Sequence, residues 1–175
     1  MSRYLVVVTD TTFSDLSIER EILTPLDAAV VDGTPYKTED EFIAFARDAD
    51  ALINQRRKVT RRVIEALPRL KIITRYAIGL DSIDIAAATE RGICVANVPD
   101  FCVDEVSDHA LALLLACNRW LLRFDGMVRT GTWHDRVVDV PMRRLRGQWL
   151  GLIGFGRISR ALAHKAQALG LSVSA

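Results

Sequence analysis

The 175-residue chain is 50% hydrophobic and 26% charged, a balance that excludes disordered and collagen-like classes. Its 23 basic and 22 acidic residues leave a net charge of +1, so no overall field attracts nucleic acid or a membrane surface. No apolar run approaches the roughly 20 residues of a membrane span, and the start shows no signal-peptide pattern. We therefore expect a cytoplasmic protein without nucleic-acid or membrane partners.

The three cysteines indicate thiols in a reducing compartment. Cys94, Cys102 and Cys117 are odd in number, lack Cys-x-x-Cys spacing and lie in apolar sequence surroundings. We expect neither a disulfide framework nor a metal site.

Short apolar runs alternate with helical patterns through the first hundred residues. The strand-like runs, typical of a parallel sheet buried on both faces, are 5–8, 28–31, 51–53, 71–74 and 93–96. Helical periodicity occupies 39–47, 61–67 and 83–91, with Thr38 and Thr60 as N-caps, Glu41 completing a capping box and Gly92 ending the last helix. The alternation predicts an α/β domain over residues 1–100.

The pattern of apolar and charged residues changes after Pro99. Acidic residues early and basic residues late in 103–122 predict one long helix, and its encircling apolar residues predict that it is largely buried, between domains or against another chain. Residues 126–145 read as a long irregular connection, which in a compact protein is usually functional or interfacial. His109 is expected to be a packed, hydrogen-bonded core residue of the helix, His134 a residue of the irregular connection and His164 a surface-helix residue.

A strand, glycine turn and helix follow in order. The apolar run 148–153 leads into Gly154 and Gly156, a helix over 160–169 is closed by Gly170, and 171–174 begins another strand. In the dinucleotide fingerprint such glycines let backbone N–H groups approach a pyrophosphate at the helix N-terminus. Ser159 replaces the third glycine, and a glycine turn without a ligand is the alternative. The acid expected about 20 residues beyond the glycines falls past residue 175, so we expect a truncated piece of a longer protein.

Three segments together resemble the D-isomer-specific 2-hydroxyacid dehydrogenases, most closely their C-terminal-binding-protein-like and phosphoglycerate-dehydrogenase-like branch. These segments are RYAIGLDSID at 75–84, RGICVANVPDFCVDEVSDH at 91–109 and RLRGQWLGLIGFGRI at 144–158. The resemblance implies a flavodoxin-like parallel-sheet substrate domain over 1–100, a crossover helix and dimerisation arm over 101–146, and the start of a Rossmann NAD-binding domain over 147–175.

The same resemblance implies an NAD-dependent oxidoreductase that interconverts a D-2-hydroxy acid and a 2-keto acid by hydride transfer and that forms a homodimer. The family's catalytic arginine, glutamate and histidine lie downstream of residue 175, so this chain is expected to be inactive by itself. The alternative is a non-catalytic dimerising or corepressor-like interaction protein of the same fold. NADH-dependent turnover of simple 2-keto acids by a full-length form distinguishes the two.

The resemblance also assigns a substrate loop. Backbone N–H groups of Ala77, Ile78 and Gly79 correspond to those that hold the substrate carboxylate, with Ala77 in place of the usual glycine. The Arg75 side chain either contacts that carboxylate or pairs with Asp81 or Asp84. Arg56 matches a basic substrate-loop residue more loosely, and a solvated loop charge is the favoured interpretation.

On the cofactor side, the residues that match the pyrophosphate turn are Gly154, Gly156, Arg157 and Ile158. Val106 aligns with a residue near the nicotinamide.

Overall fold

The computed structural model describes residues 2–133 and 142–175. The chain forms two compact units, Met1–Pro99 and Asp100–Ala175. The assignment of 101–146 as crossover helix and dimerisation arm stays a prediction.

A five-stranded parallel sheet forms the centre of the first unit. Its strands are β1 (Tyr4–Val8), β2 (Ala28–Asp32), β3 (Ala51–Asn54), β4 (Ile72–Arg75) and β5 (Cys94–Ala96). Their order is β2-β1-β3-β4-β5, and every pairing is parallel. This is the flavodoxin-like order, in which ligands bind beyond the carboxyl ends of the strands. The predicted α/β fold and its five strands are confirmed.

Helices cover the two faces of this sheet unequally. They are α1 (Ser17–Leu23), α2 (Glu39–Ala46), α3 (Arg61–Ala66) and α4 (Ile85–Glu90). One hydrophobic cluster joins the sheet to α2, α3 and α4, with Phe42, Leu52 and Ile64 fully buried. A smaller cluster on Val6 and Val8 includes Leu16, directly before α1. The sequence analysis placed no helix before residue 39, so α1 is an addition.

Helix caps in this unit follow the sequence signals. Glu41 N–H donates to Thr38 Oγ1 at 3.2 Å, and Thr38 N–H donates to the Glu41 carboxylate at 3.0 Å, the predicted capping box. Thr60 accepts from Val63 N–H at 3.3 Å. Gly92 follows α4 with a φ of 66°, a conformation that favours glycine.

The second unit combines two helices with a short βαβ segment. Its elements are α5 (Val103–Asn118), α6 (Leu121–Arg129), β6 (Trp149–Gly151), α7 (Arg157–Ala168) and β7 (Ser172–Ser174). Strands β6 and β7 pair in parallel, and α7 packs against α5. The predicted strand, glycine turn, helix and second strand are all present.

The prediction of one helix over 103–122 is wrong. Helix α5 ends at Asn118, and Trp120 takes a left-handed conformation with a φ of 55° before α6 begins. The apolar pattern runs across this break without proline or glycine, so periodicity gives no sign of it. Residues 126–129 belong to α6 and are not irregular, whereas 134–141 of the predicted arm, with His134, lie outside the described residues.

This segment is largely exposed within its own unit, and its expected burial between domains or against another chain stays a prediction. Ser107 is the only buried residue of α5, and Leu113 is 54% exposed. His109 is exposed, so it is not the core residue expected from the sequence. The reason is geometric: α5 contacts α7 and α6, and no other element of its unit covers the remaining apolar surface in the described residues.

The cysteines are unpaired, as predicted. Cys94 and Cys117 are exposed and Cys102 is half-buried. Within residues 2–133 and 142–175, no three side chains of the metal-binding types come together. No helix in that same part of the chain has the length and apolarity to cross a bilayer.

Candidate functional site

Three loops of the first unit meet at the carboxyl edge of its sheet. They follow β1 from Thr9, β3 from Gln55 and β4 from Tyr76. Parallel strands bring these loops together because they all end at the same edge. The sequence-predicted residues Arg56, Arg75 and 77–79 lie in the second and third loops and at the strand end between them.

The loop after β4 presents its amides outward. Ala77 O accepts from Val98 N–H at 3.3 Å, and Ile78 O accepts from Asn97 Nδ2 at 2.7 Å. In a trans peptide the N–H points away from the carbonyl, so these bonds aim the N–H groups of Ile78 and Gly79 to the opposite side. Within the described residues, the N–H groups of Ala77, Ile78 and Gly79 meet no acceptor. Such successive free amides form an anion-binding concavity.

Arg75 spans two of the loops. Its Nε donates to Gln55 O at 3.3 Å, and its Nη1 donates to Gly79 O. Neither Asp81 nor Asp84 forms an ion pair with it among the described residues, so that alternative is not found. Its Nη2 makes no hydrogen bond within the same residues and is available to an anion at the loop.

Asp10 organises the loop after β3, a role that the sequence analysis missed. Its carboxylate accepts from the Thr9 hydroxyl at 2.6 Å and from the N–H groups of Gln55, Arg56 and Arg57 at 3.3, 2.9 and 3.1 Å. Burial opposes ionisation of Asp10, but these hydrogen bonds outweigh it and hold its pKa below the usual range. The sequence signal that could have identified this role is an aspartate two residues after the end of β1.

Arg57, not Arg56, carries the structural contacts of this loop. Its Nε donates to Thr9 O at 2.9 Å, its Nη2 donates to the carbonyls of Gly33 and Tyr36, and its guanidinium lies 4.6 Å from the centre of the Phe42 ring. Arg56 is exposed and is held through its backbone N–H. Its side chain is therefore free to meet a ligand at this edge or to remain solvated, as the sequence analysis left open.

Asn54 ties the three loops beneath this surface. It is fully buried at the end of β3, and its Nδ2 donates to Thr9 Oγ1 at 3.0 Å and to Arg57 O at 2.8 Å. Its Oδ1 accepts from Ser82 Oγ at 3.0 Å. A buried polar group with all of these partners rigidifies its surroundings.

Tyr76 anchors the first turn of α1 to the loop after β4. Its hydroxyl donates to Glu19 at 2.5 Å, and its ring meets Phe13 edge-to-face at 5.5 Å. Burial, followed by the Glu19 carboxylate, raises the pKa of Tyr76. This tyrosine is therefore a neutral donor at neutral pH.

The glycine turn of the second unit has the backbone that the fingerprint requires. Gly154 has a φ of 87°, which favours glycine, and Gly156 is the N-cap of α7. A Cβ at either position would meet no atom of the described chain within 4 Å. Helix α7 begins at this turn, and the N–H group of Ile158 in its first turn has no partner from a preceding turn of the helix. The structure thus brings the four predicted turn residues together at one helix N-terminus.

Val106 lies at a different place in this unit. Lys165 of α7 donates to Ser107 Oγ at 2.7 Å and to Asp108 at 2.5 Å, and the Asp108 hydrogen bond is the main cause of its raised pKa. These contacts fix the first turns of α5 against α7 about 12 Å along the axis from Arg157. Val106 is 42% exposed there, and its place near a nicotinamide stays a prediction.

Together the two units define a class, an α/β protein with a flavodoxin-like sheet and a separate glycine-turn βαβ segment. The family model "D-isomer specific 2-hydroxyacid dehydrogenase, catalytic domain" matches residues 6–172. The chain belongs to this family.

Named relatives agree with that assignment. A glyoxylate reductase of Thermococcus litoralis is 43% identical over 133 residues, covering 73% of this chain and 40% of that protein. A hydroxypyruvate reductase of Thermotoga maritima is 38% identical over 138 residues, covering 78% and 44%. The chain thus spans about two fifths of the length of the curated relatives it matches.

Solved structures share the fold of both units. The D-lactate dehydrogenase of Aquifex aeolicus, crystallised with NAD and lactic acid, has a TM-score of 0.79 and 25% identity. The match covers 97% of this chain and 50% of that one.

Proposed function

We propose that this chain supplies the substrate loop and the cofactor turn of an NAD-dependent oxidoreductase, which interconverts a D-2-hydroxy acid and a 2-keto acid. The observation that carries the proposal is the row of free amides at Ala77, Ile78 and Gly79. Glyoxylate, hydroxypyruvate and lactate, named for the relatives, all carry a carboxylate beside the reacting carbon. An amide cradle recognises that shared group.

The chain's own residues bind and orient the substrate. The amides of 77–79 hold the carboxylate from one side, and Arg75 Nη2 donates to it from another, a charge-assisted bond that fixes direction. Arg56 extends from the neighbouring loop as a second cation. With the carboxylate held in this way, the adjacent carbonyl has a single orientation, as transfer to one face requires.

The glycine turn fits a dinucleotide pyrophosphate. Gly154 and Gly156 leave open space where side chains would stand, and the helix that follows offers N–H groups and a positive dipole end. Bound NADH would supply the hydride. The residues that would hold it are the turn glycines with Arg157 and Ile158.

The 175-residue chain is proposed to bind these ligands without turning them over. Reduction of a keto acid needs a proton donor for the carbonyl oxygen and a cation to polarise it. His109 and His164 are exposed on α5 and α7, and neither belongs to the carboxyl edge of the sheet or to the glycine turn. The family's catalytic arginine, glutamate and histidine have no counterparts in this sequence.

We also propose a homodimer and a cytoplasmic location. Apolar side chains of α6 and just beyond it are exposed: Leu121 59%, Leu122 82%, Val128 60% and Trp133 57%. Exposed large apolar side chains clustered in one short stretch of sequence support association with a second copy. The three free cysteines support a reducing compartment.

A titration of NADH fluorescence tests the cofactor half, and an assay with glyoxylate or hydroxypyruvate tests turnover. We expect saturable NADH binding weaker than micromolar, because the acid that would hold the ribose is not in this sequence, together with negligible oxidation of NADH. Absence of binding at millimolar NADH would contradict the proposal. Turnover by the 175-residue chain would show that its own residues complete the catalytic set.

A further inference from the structure

The loop after β3 already holds an anion, the carboxylate of Asp10. Three successive N–H groups, from Gln55, Arg56 and Arg57, donate to it at 3.3, 2.9 and 3.1 Å. This is the same kind of amide concavity as the one at 77–79. Because Asp10 fills it, this concavity is closed to a substrate carboxylate, whereas the one at 77–79 is open.

A chain of hydrogen bonds runs from Asp10 to that second concavity. Asp10 fixes the peptide groups of Gln55 and its neighbours, and Gln55 O accepts from Arg75 Nε at 3.3 Å. The other arm of the Arg75 guanidinium holds Gly79 O at the far end of the amide row. Since the guanidinium is planar and rigid, displacing Gln55 displaces its contact with Gly79.

Hydrogen bonds hold the residues around Asp10 rigidly, so a structural change at Asp10 is transmitted to the loop after β4. Buried Asn54 holds Thr9 Oγ1 and Arg57 O on the two sides of the loop. Gln55 is further paired with Thr12, through Thr12 N–H to Gln55 Oε1 at 2.9 Å and Gln55 Nε2 to Thr12 Oγ1 at 3.0 Å. Arg75 is the direct link between the loop after β3 and the amide row of the loop after β4.

We propose that Asp10 is a positioning residue for substrate recognition: its carboxylate occupies the amides of 55–57 and, through Gln55 and Arg75, sets the geometry of the amides of 77–79. The assignment of 77–79 as the carboxylate site rests on the proposed function. The linkage from Asp10 to 77–79 is a property of the protein without ligand.

The test is Asp10→Asn in the 175-residue chain, with Asp50→Asn as the matched control. Asparagine keeps the size but offers one acceptor oxygen and adds two donors, so it cannot receive all three amides. Asp50 is a buried carboxylate that also accepts a backbone N–H, from Leu5 at 2.9 Å. It lies at the opposite, amino edge of the sheet, beside the start of β1 and β3.

Two readouts separate positioning from general destabilisation. The first is the ¹H–¹⁵N NMR resonances of 55–57 and 77–79 in the free protein. The second is the Kd for oxamate, a small keto-acid analogue. We expect Asp10→Asn to shift both loops and to weaken oxamate about tenfold, whereas Asp50→Asn leaves both readouts unchanged even if it lowers Tm.

The proposal is overturned if Asp10→Asn leaves the resonances of 77–79 in place, or if it weakens oxamate no more than Asp50→Asn does. If the wild-type chain does not bind oxamate while Asp10→Asn still shifts 77–79, the proposed substrate site fails and the linkage stands. If the Asp10→Asn variant does not fold, Arg75→Lys interrupts the same series of hydrogen bonds at its next residue. It should shift 77–79 while the Arg57 N–H, which Asp10 holds, stays in place, and unshifted resonances of 77–79 would overturn the proposal.

Discussion

Gly154 shows at a single residue how backbone conformation prepares a binding turn. We expect Gly154→Ala to lower the free energy of unfolding by about 1–2 kcal/mol, because its φ of 87° is costly for a residue with a Cβ. NADH binding should weaken as well, since the turn must relax. Urea unfolding and the NADH titration measure the two effects.

Gly126 is the matched control for that substitution. It lies within α6, has no positive φ, and an added Cβ would also meet nothing within 4 Å. Alanine is the better helix former, so Gly126→Ala should stabilise by about 0.5–1 kcal/mol. Equal effects at the two glycines would show that conformation at Gly154 does not matter.

Asp50 gives a pH-dependent contribution to stability. Burial disfavours its charge, but Leu5 N–H and the Arg69 guanidinium at 3.0 Å outweigh that and lower its pKa. A lowered folded pKa gives stability that is present above the unfolded value near 4 and is lost as the pH falls through the folded pKa.

Replacing this carboxylate should therefore matter at neutral pH and not in acid. We expect Asp50→Asn to cost about 1–3 kcal/mol at pH 7, as loss of hydrogen bonds to a charged group does. The free energies of unfolding of wild type and variant should approach each other as the pH falls below the unfolded value near 4. A difference that stays constant from pH 7 to pH 3 would rule out this linkage.

At this scale the sequence suggested candidate ligand-binding residues but not the residues that support them. Arg75 and 77–79 come from one family-like segment, 75–84, and Arg56 from a looser match. Asp10 acts on residues about 45 positions away, and Arg57 contacts the loops after β1 and β2. Such contacts arise only when the strands assemble, so local patterns cannot reveal them.

Among the elements, α2 depends measurably on its predicted cap. We expect Thr38→Ala to lower the free energy of unfolding by about 1 kcal/mol, because Glu41 N–H loses its acceptor. Glu41→Gln keeps an acceptor for Thr38 N–H and should cost less. Urea unfolding of both variants is the measurement, and an unchanged midpoint for Thr38→Ala would contradict the capping box.

The strands and caps were predictable because their signals are local, whereas the break between α5 and α6 was not. Apolar residues at 110–122 satisfy one helix or two equally well. No turn residue in the sequence indicates the left-handed conformation of Trp120. This conformation changes the direction of the chain. Burial of a helix depends on its partners, which is why His109 was misplaced.

For the whole molecule, the exposed surface of α6 predicts self-association. Leu122 is 82% exposed and Leu121 is 59% exposed, and burying them against a second copy removes apolar area from water. We expect sedimentation of the wild-type chain to show a dimer or a larger species. The double variant Leu121→Lys, Leu122→Lys should sediment as a smaller species than the wild type.

The control variant removes a similar amount of exposed apolar side chain from a different helix, α1. Ile18 and Ile22 on α1 are 68% and 66% exposed, and their replacement by lysine should leave the association unchanged. A wild-type monomer at about 100 µM, or equal effects of the two double variants, would argue against association through α6.

Under the proposed function, each unit has one recognition task. The parallel sheet of Met1–Pro99 offers free amides for a carboxylate, and the βαβ segment of Asp100–Ala175 offers a glycine turn for a pyrophosphate. Fold and family followed from sequence because three motif blocks and a strand-helix alternation agree. The spatial arrangement of the carboxyl edge required the structure.

The most direct test of this account is a ¹H–¹⁵N NMR titration of the 175-residue chain with oxamate and, separately, with NAD. Oxamate should shift the amides of Ala77, Ile78 and Gly79, and NAD should shift those of Gly154 to Ser159. Each ligand should leave the other set unchanged at low occupancy. Shifts confined to other residues, or none at millimolar ligand, would contradict the assignment of both sites.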